Sequence, residues 1–215
     1  MTESAIKSLS SMVYIVDEDA GIRETLEELL TSMGRSVVTC ASARDYFRVL
    51  RPALPSCLIL DVGLPDGNGI DLQRQLSMGD HPPIIFLTGA CDIPTSVRAI
   101  KAGAIDFLTK PCCKADLLAA IDAAIAQDSR VRADRMERIR LVQRHSCLTP
   151  REREVLPLVV DGLPNKQAAA KLGISETTLQ IHRSRVMRKM QAKSLAHLVR
   201  MADKLAIPLP RIQSC

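Results

Sequence analysis

Tryptophan is absent from the chain, and with 3 Phe and 2 Tyr the aromatic residues come to 2%. A platform that stacks unpaired bases needs more rings, so single-strand or RNA binding of that kind is set aside. No apolar run reaches the roughly eighteen residues that a membrane-spanning helix requires. The opening segment carries Glu3 and Lys7 and lacks a signal-peptide apolar block, so a soluble, cytoplasmic protein without membrane partners is expected. The 7 cysteines (40, 57, 91, 112, 113, 147 and 215) form neither a CxxC pair nor a Cys/His spacing suited to a metal. They are read as reduced, mostly buried thiols with no redox role, the adjacent Cys112 and Cys113 included.

With 215 residues and 47% hydrophobic content, two domains can each bury a core. Charge divides the chain. Residues 1–125 hold 11 Lys and Arg against 16 Asp and Glu, a net of −5, whereas residues 126–215 hold 18 against 8, a net of +10. An acidic front half suggests a site built from carboxylates, and a basic back half suggests a polyanionic partner.

The front half alternates short apolar, β-branched runs with amphipathic stretches, which predicts a parallel sheet wound with helices on both faces. Strands are expected at Met12–Val16, Ser36–Cys40, Cys57–Leu60, Ile84–Leu87 and Ile105–Leu108. Helices are expected at Gly21–Met33, Ala43–Leu50, Gly69–Met78, Pro94–Ala102 and from Lys114 onward. In such a fold, ligands bind outside the carboxyl ends of the strands. The residues there are Asp17, Glu18 and Asp19, then Asp61, Thr88 and Lys110–Pro111. Neighbouring carboxylates need a cation, and hard oxygen donors favour Mg²⁺. A metal-bound aspartate beside a lysine can act as a nucleophile toward phosphorus.

Four motifs occur in order: V-Y-I-V-D-E-D (13–19), L-I-L-D-V-G-L-P-D-G-N-G (58–69), F-L-T-G-A (86–90) and D-F-L-T-K-P (106–111). Together they resemble the receiver domain of two-component response regulators. The resemblance implies a five-stranded, doubly wound α/β fold of the flavodoxin or CheY type. It implies that Asp61 accepts a phosphoryl group from a sensor histidine kinase. It further implies Mg²⁺ held by Asp17, Glu18, Asp61 and the Gly63 carbonyl, with Lys110 pairing with the phosphoryl group, Thr88 moving toward it and Phe107 turning inward as a switch. Receivers of this kind dimerise through the fourth helix and fifth strand. The family usually carries Asp where Glu18 stands, so the carboxylate here sits one methylene farther out. Pro111 admits a cis peptide bond.

Neither Gly nor Pro occurs between Lys114 and Ser146, so the fifth helix is expected to continue as a charged linker. Its apolar positions Val131, Ile139 and Val142 are too sparse for a coiled coil. Beyond the linker, Thr149-Pro150-Arg151-Glu152 spells a capping box with Pro at the first helical position. Asn165 is expected to cap a second helix, Gly173 to end it, and Ser175 to cap a third running to Met190. A fourth helix is expected over Ser194–Leu205. Pro157 falls inside the first of these helices, where a kink is expected.

The segments L-T-P-R-E-R-E-V-L (148–156) and G-L-P-N-K-Q-A-A-A-K-L-G-I-S-E-T-T-L-Q-I-H-R-S-R-V-M-R-K-M (162–190) resemble the LuxR-type helix-turn-helix. A helix of this class enters the major groove of double-stranded DNA. By position, Gln180, Ile181 and Ser184 are expected at base edges. Lys166, Thr177, Arg183, Arg185 and Lys189 are expected at phosphates, with Thr178 beside them. The last helix would pair two copies on DNA.

The whole reads as a response regulator of the FixJ/NarL type: a receiver at 10–127, a helical linker at 128–145 and an all-α, four-helix DNA-binding domain at 146–208. It is expected to regulate transcription as a phosphorylation-dependent homodimer, by activation and with RNA polymerase as a further partner. Two other readings compete with it. A haloacid-dehalogenase-like phosphatase requires a second Asp two residues after the nucleophile, where Gly63 stands, so no enzyme is expected beyond phosphotransfer to and from Asp61 itself. A receiver that only dimerises, without phosphate, is disfavoured by the presence of Asp61, Thr88 and Lys110 together.

Overall fold

The computed structural model describes residues 11–89 and 93–207. They fall into two compact units, dividing between Arg132 and Ala133.

In the first unit the strands β1 (Met12–Val16), β2 (Ser36–Cys40) and β3 (Ser56–Leu60) precede a two-residue hairpin, β4 (Gly63–Leu64) and β5 (Gly67–Asn68). The last strands are β6 (Ile84–Thr88) and β7 (Asp106–Thr109). The main sheet is parallel, in the order β2-β1-β3-β6-β7. Helices α1 (Ala20–Ser32), α2 (Ala43–Arg48), α3 (Gly69–Leu76) and α4 (Ile93–Lys101) form the crossovers, and α5 (from Lys114) follows the last strand. Elements match the expected ones to within a residue or two at most ends.

Alternation along the strands feeds two cores, because successive side chains leave opposite faces of a sheet. Val13, Ile15, Cys57, Ile59, Ile85 and Leu87 pack with Leu26 and Leu30 of α1 and with Leu117 and Ile121 of α5. Tyr14, Val16, Leu58, Leu60, Ile84 and Phe86 pack on the other side with Tyr46 of α2, Leu72 and Leu76 of α3 and Ala99 of α4. All five residues of β1, β3 and β6 are buried, as expected of strands covered on both faces.

Helix α5 runs without interruption to Ser146. Asp128, expected at the head of the linker, instead belongs to the first unit. Its Oδ2 accepts from the Ser56 N–H (2.8 Å), the Ser56 hydroxyl (3.3 Å) and Arg132 Nε (2.6 Å), which ties the helix to the start of β3. Val131, Ile139 and Val142 are exposed. The thiols also depart from expectation: Cys40 and Cys57 are buried, Cys112 is half-buried, and Cys113 and Cys147 are exposed, while Cys91 and Cys215 lie outside the described residues. Apolar neighbours in sequence do not bury a residue that stands at a loop or helix end. The Lys110–Pro111 peptide is cis.

The second unit is helical: the end of α5, then α6 (Pro150–Val160), α7 (Asn165–Leu172), α8 (Glu176–Met190) and α9 (Leu195–Lys204). Its core gathers Leu141, Leu148, Val155, Leu156, Val159, Leu179, Val186, Met190, Leu198 and Met201. The Thr149–Glu152 capping box is formed in both directions. Helix α6 is continuous through Pro157 and ends one turn later. Gly173 closes α7 at φ 65°, a conformation costly for any side chain, and Ser175 caps α8. Asn165 does not cap α7. Pro164 stands at that position without a side-chain bond, and Asn165 Oδ1 accepts from Arg183 Nη1 at 3.0 Å.

Candidate functional site

Strands β1 and β3 lie side by side in register, Val16 opposite Leu60, so the next residues, Asp17 and Asp61, leave the sheet together at the point where its strand order reverses. Both are buried, at 2% and 8% exposure. Lys110 Nζ lies between them, 2.5 Å from Asp17 Oδ2 and 2.6 Å from Asp61 Oδ2. The other oxygens are held by the main chain: Asp17 Oδ1 accepts from Asp19 N at 3.0 Å and Asp61 Oδ1 from Gly63 N at 3.2 Å. Thr88 ends β6, 3% exposed, and its carbonyl accepts from Lys110 N at 2.8 Å, which fastens the lysine's backbone beside the acid pair. Burial pulls the Lys110 ammonium down, but hydrogen bonds and charge from Asp17 and Asp61 outweigh it and hold its pKa above the ordinary value.

These groups line an open cleft of about 540 Å³ that also includes Glu18, Gly63, Asn68 and Gly89. Glu18 is exposed at this cleft. Phe107 is half-buried on β7, its ring 5.7 Å from that of Phe86.

Three supports of the cleft escape a reading of the sequence. Arg23, one turn into α1, donates through Nη1 to the carbonyls of Asp17 (2.7 Å) and Glu18 (2.9 Å). Asp66, in the turn between β4 and β5, accepts from the N–H groups of Ala43 (3.1 Å) and Arg44 (2.9 Å). These bonds hold its carboxyl below the usual range and tie the loop after Asp61 to α2. Gly69 lies so close to that loop that a Cβ would stand 2.2 Å from the Asp61 carbonyl oxygen, so no side chain fits. Only the glycine could have been suspected from the sequence, since the other two depend on which backbone groups the fold brings within reach.

The cleft's chemistry fits Mg²⁺. Asp17, Glu18, Asp19 and Asp61 line the cleft with the one ammonium of Lys110, Asp19 being engaged in the cap of α1, and every candidate donor is oxygen. Among the described residues, no three acidic, His or Cys side chains stand close enough to hold an ion by themselves. Mg²⁺ does not require that, since it retains several waters and is usually held by one or two carboxylates.

In the second unit, α7, the turn at Gly173–Ser175 and α8 form a helix-turn-helix. Helix α8 turns Leu179, Val186 and Met190 into the core. Gln180, Ile181, Ser184 and Arg185 are exposed on it, Ile181 at 48%, and Thr177 and Lys166 are exposed nearby. The Thr178 hydroxyl pairs with that of Ser175 at 2.8 Å, and Arg183 is half-buried against Asn165. Lys189 is half-buried, and its Nζ lies 2.7 Å from Glu152 Oε2 and 3.1 Å from the Cys147 carbonyl, so in the free protein its ammonium is bonded within its own domain. Glu152, 1% exposed, needs a cation, and Lys189 is the one that α8 brings to it.

Comparison with known proteins agrees with both halves. Residues 13–122 match the response regulator receiver domain family, and residues 146–202 match the bacterial regulatory proteins of the luxR family. The chain is 44% identical to nodulation protein W of Bradyrhizobium diazoefficiens over 207 residues, covering 96% of this chain and 90% of that one. It is 40% identical to the transcriptional regulatory protein FixJ of Rhizobium meliloti, covering 88% and 94% of the two chains. Among solved structures, the response regulator StyR superposes with a TM-score of 0.81 at 43% identity, over 91% of this chain and 99% of that one.

Proposed function

The chain belongs to the two-component response regulators of the FixJ/NarL type, transcription regulators that join a receiver to a LuxR-type DNA-binding domain, and from that premise we propose that Asp61 is its phosphoryl acceptor. The observation that carries this is Lys110 Nζ at 2.6 Å from a buried Asp61 that still opens onto a cleft. An Asp61 oxygen attacks the phosphorus of a kinase phosphohistidine. The P–N bond breaks, its electron pair returns to the imidazole, and that nitrogen takes up a proton. Lys110 then exchanges part of its contact with Asp61 for the new phosphoryl oxygens. Asp17, Glu18, Asp61 and the Gly63 carbonyl would hold Mg²⁺, directly or through waters that it retains, and the bound ion would supply positive charge toward those oxygens. Thr88 closes on the phosphoryl group and Phe107 moves farther inward. The surface of α4 and β7 changes, and two receivers pair.

Pairing brings two copies of α8 to two half-sites, a gain in effective concentration rather than in contacts per domain. Gln180, Ile181 and Ser184 read base edges, while Lys166, Thr177, Arg183 and Arg185 meet phosphates, with Thr178 near them. Helix α9 is the self-association face on DNA. The bound dimer activates transcription, with RNA polymerase as its partner.

The test is to incubate wild type and Asp61→Asn with acetyl phosphate and Mg²⁺, then measure intact mass and elution volume. Wild type alone should gain about 80 Da and shift to a dimer. No adduct in wild type, under conditions that phosphorylate a control receiver, would replace this reading with a phosphate-independent DNA binder.

A further inference from the structure

The loop after β1 carries three of the four acids that line the cleft, and they are held in different ways. Asp17 is fixed through its own carboxylate, by Lys110 at 2.5 Å and by Asp19 N at 3.0 Å. Glu18 is exposed, and among the described residues its carboxylate has no hydrogen-bond or ion-pair partner. Where Glu18 stands is therefore set by its main chain. That main chain is gripped by Arg23, whose Nη1 donates to the carbonyls of both Asp17 (2.7 Å) and Glu18 (2.9 Å). One nitrogen serving two successive carbonyls bends the backbone around the guanidinium and fixes the spacing of the two acids. The grip is rigid at its base: Arg23 N donates to the Asp19 carbonyl at 3.1 Å, and Asp19 Oδ1 caps α1 through Gly21 N at 2.8 Å.

We propose that Arg23 is a positioning residue for the metal side of the cleft, holding the Asp17–Glu18 backbone so that the longer Glu18 side chain can serve the same divalent cation as Asp17 and Asp61. The inference rests on the reading of the cleft as a Mg²⁺ and phosphoryl site. Arg23 itself touches neither the ion nor the phosphoryl group. Its contribution is to keep preorganised an acid whose own carboxylate is unbonded among the described residues, and losses of such outer supports typically cost about 10- to 100-fold in metal affinity.

The experiment is calorimetric titration of the full chain with MgCl₂, without any phosphodonor, for wild type, Arg23→Lys and Arg23→Gln, alongside thermal midpoints without Mg²⁺. Arg23→Gln should raise the Mg²⁺ Kd about tenfold or more, by more than its thermal midpoint in metal-free buffer would suggest. Arg23→Lys should fall between, its shorter ammonium giving up one carbonyl. A smaller rise in Arg23→Gln overturns the assignment of Arg23 while leaving the cleft's reading intact. Absence of Mg²⁺ binding in wild type overturns both. Should Arg23→Gln fail to fold by circular dichroism, Arg23→Lys carries the test, and an unchanged Kd there overturns the proposal.

Discussion

Each domain contains a lysine bonded to a buried carboxylate, and the two arrangements differ in what surrounds them. Lys110 stands between Asp17 and Asp61 on an open cleft, with Glu18 close by, so the acids outnumber the cation and the surplus charge faces solvent. Lys189 meets Glu152 one to one. Glu152 Oε2 also accepts from Thr149 N at 2.8 Å, and the pair closes a helix cap against the second core. Proximity of Lys to a buried acid therefore does not mark a site. Unbalanced charge with access does, because only such a group gains from a further ligand.

The sharpest way to break this comparison is to remove each lysine. Lys110→Ala should slow phosphorylation of Asp61 by acetyl phosphate by about 10²–10³-fold, the usual cost of deleting a charge-stabilising donor, with the DNA-binding unit's melting unchanged. Intact-mass time courses measure the rate. A Lys110→Ala protein that is phosphorylated at the wild-type rate would place Lys110 in the same structural class as Lys189.

On the other side, Glu152→Ala should spare phosphorylation and destabilise the second unit. Breaking a buried pair costs about 3–5 kcal/mol, but Lys189 keeps 30% exposure and can turn to water, which reduces the expected loss to about 2 kcal/mol. In a unit of this size that is a drop of about 10 °C in its melting transition by calorimetry. Acid offers a second measure. Burial pushes the Glu152 carboxyl up, yet the Lys189 and Thr149 hydrogen bonds hold it below the usual range. A depressed folded pKa contributes stability that is present above the unfolded value, about 4.3, and is lost as pH falls through the folded one. The second unit should therefore lose stability below about pH 4.3, and Glu152→Gln should be less stable at neutral pH but flatter in acid.

What the sequence revealed and what it withheld follow the range of each interaction. The capping box at Thr149, the Gly173 stop and the Ser175 cap are decided within four residues, and all three were legible. The strand ends carrying Asp17, Asp61, Thr88 and Lys110 are legible because each short apolar, β-branched run gives way there to polar or charged residues. Asn165 has the chemistry of a cap, but Pro164 takes that position and the Asn165 side chain accepts from Arg183, eighteen residues away. Asp128 opens a charged stretch that resembles a linker, but its partner is Ser56, on a strand 72 residues earlier. Arg23 and Asp66 bind backbone groups, which carry no signature in the sequence at all. Lys189 illustrates the limit most plainly: its place on a basic helix is legible, but its bond to Glu152, on another helix, is not.

That last distinction yields the smallest predicted effect and the finest test. A lysine that neutralises a DNA phosphate releases a counterion, so its loss lowers the slope of log K against log salt by about one. Lys166 is exposed on α7 and should behave this way: Lys166→Ala should weaken binding to any duplex to a similar degree and reduce the slope by about one. Lys189 already has its counter-charge in Glu152. Lys189→Gln should lower the melting transition of the second unit, yet leave the salt slope where it was, once affinities are compared at a temperature where both proteins are folded. Fluorescence anisotropy with a labelled duplex at several salt concentrations separates the two. If Lys189→Gln flattens the slope as Lys166→Ala does, then Lys189 leaves Glu152 on binding DNA, and the contrast between the two lysines holds only for the free protein.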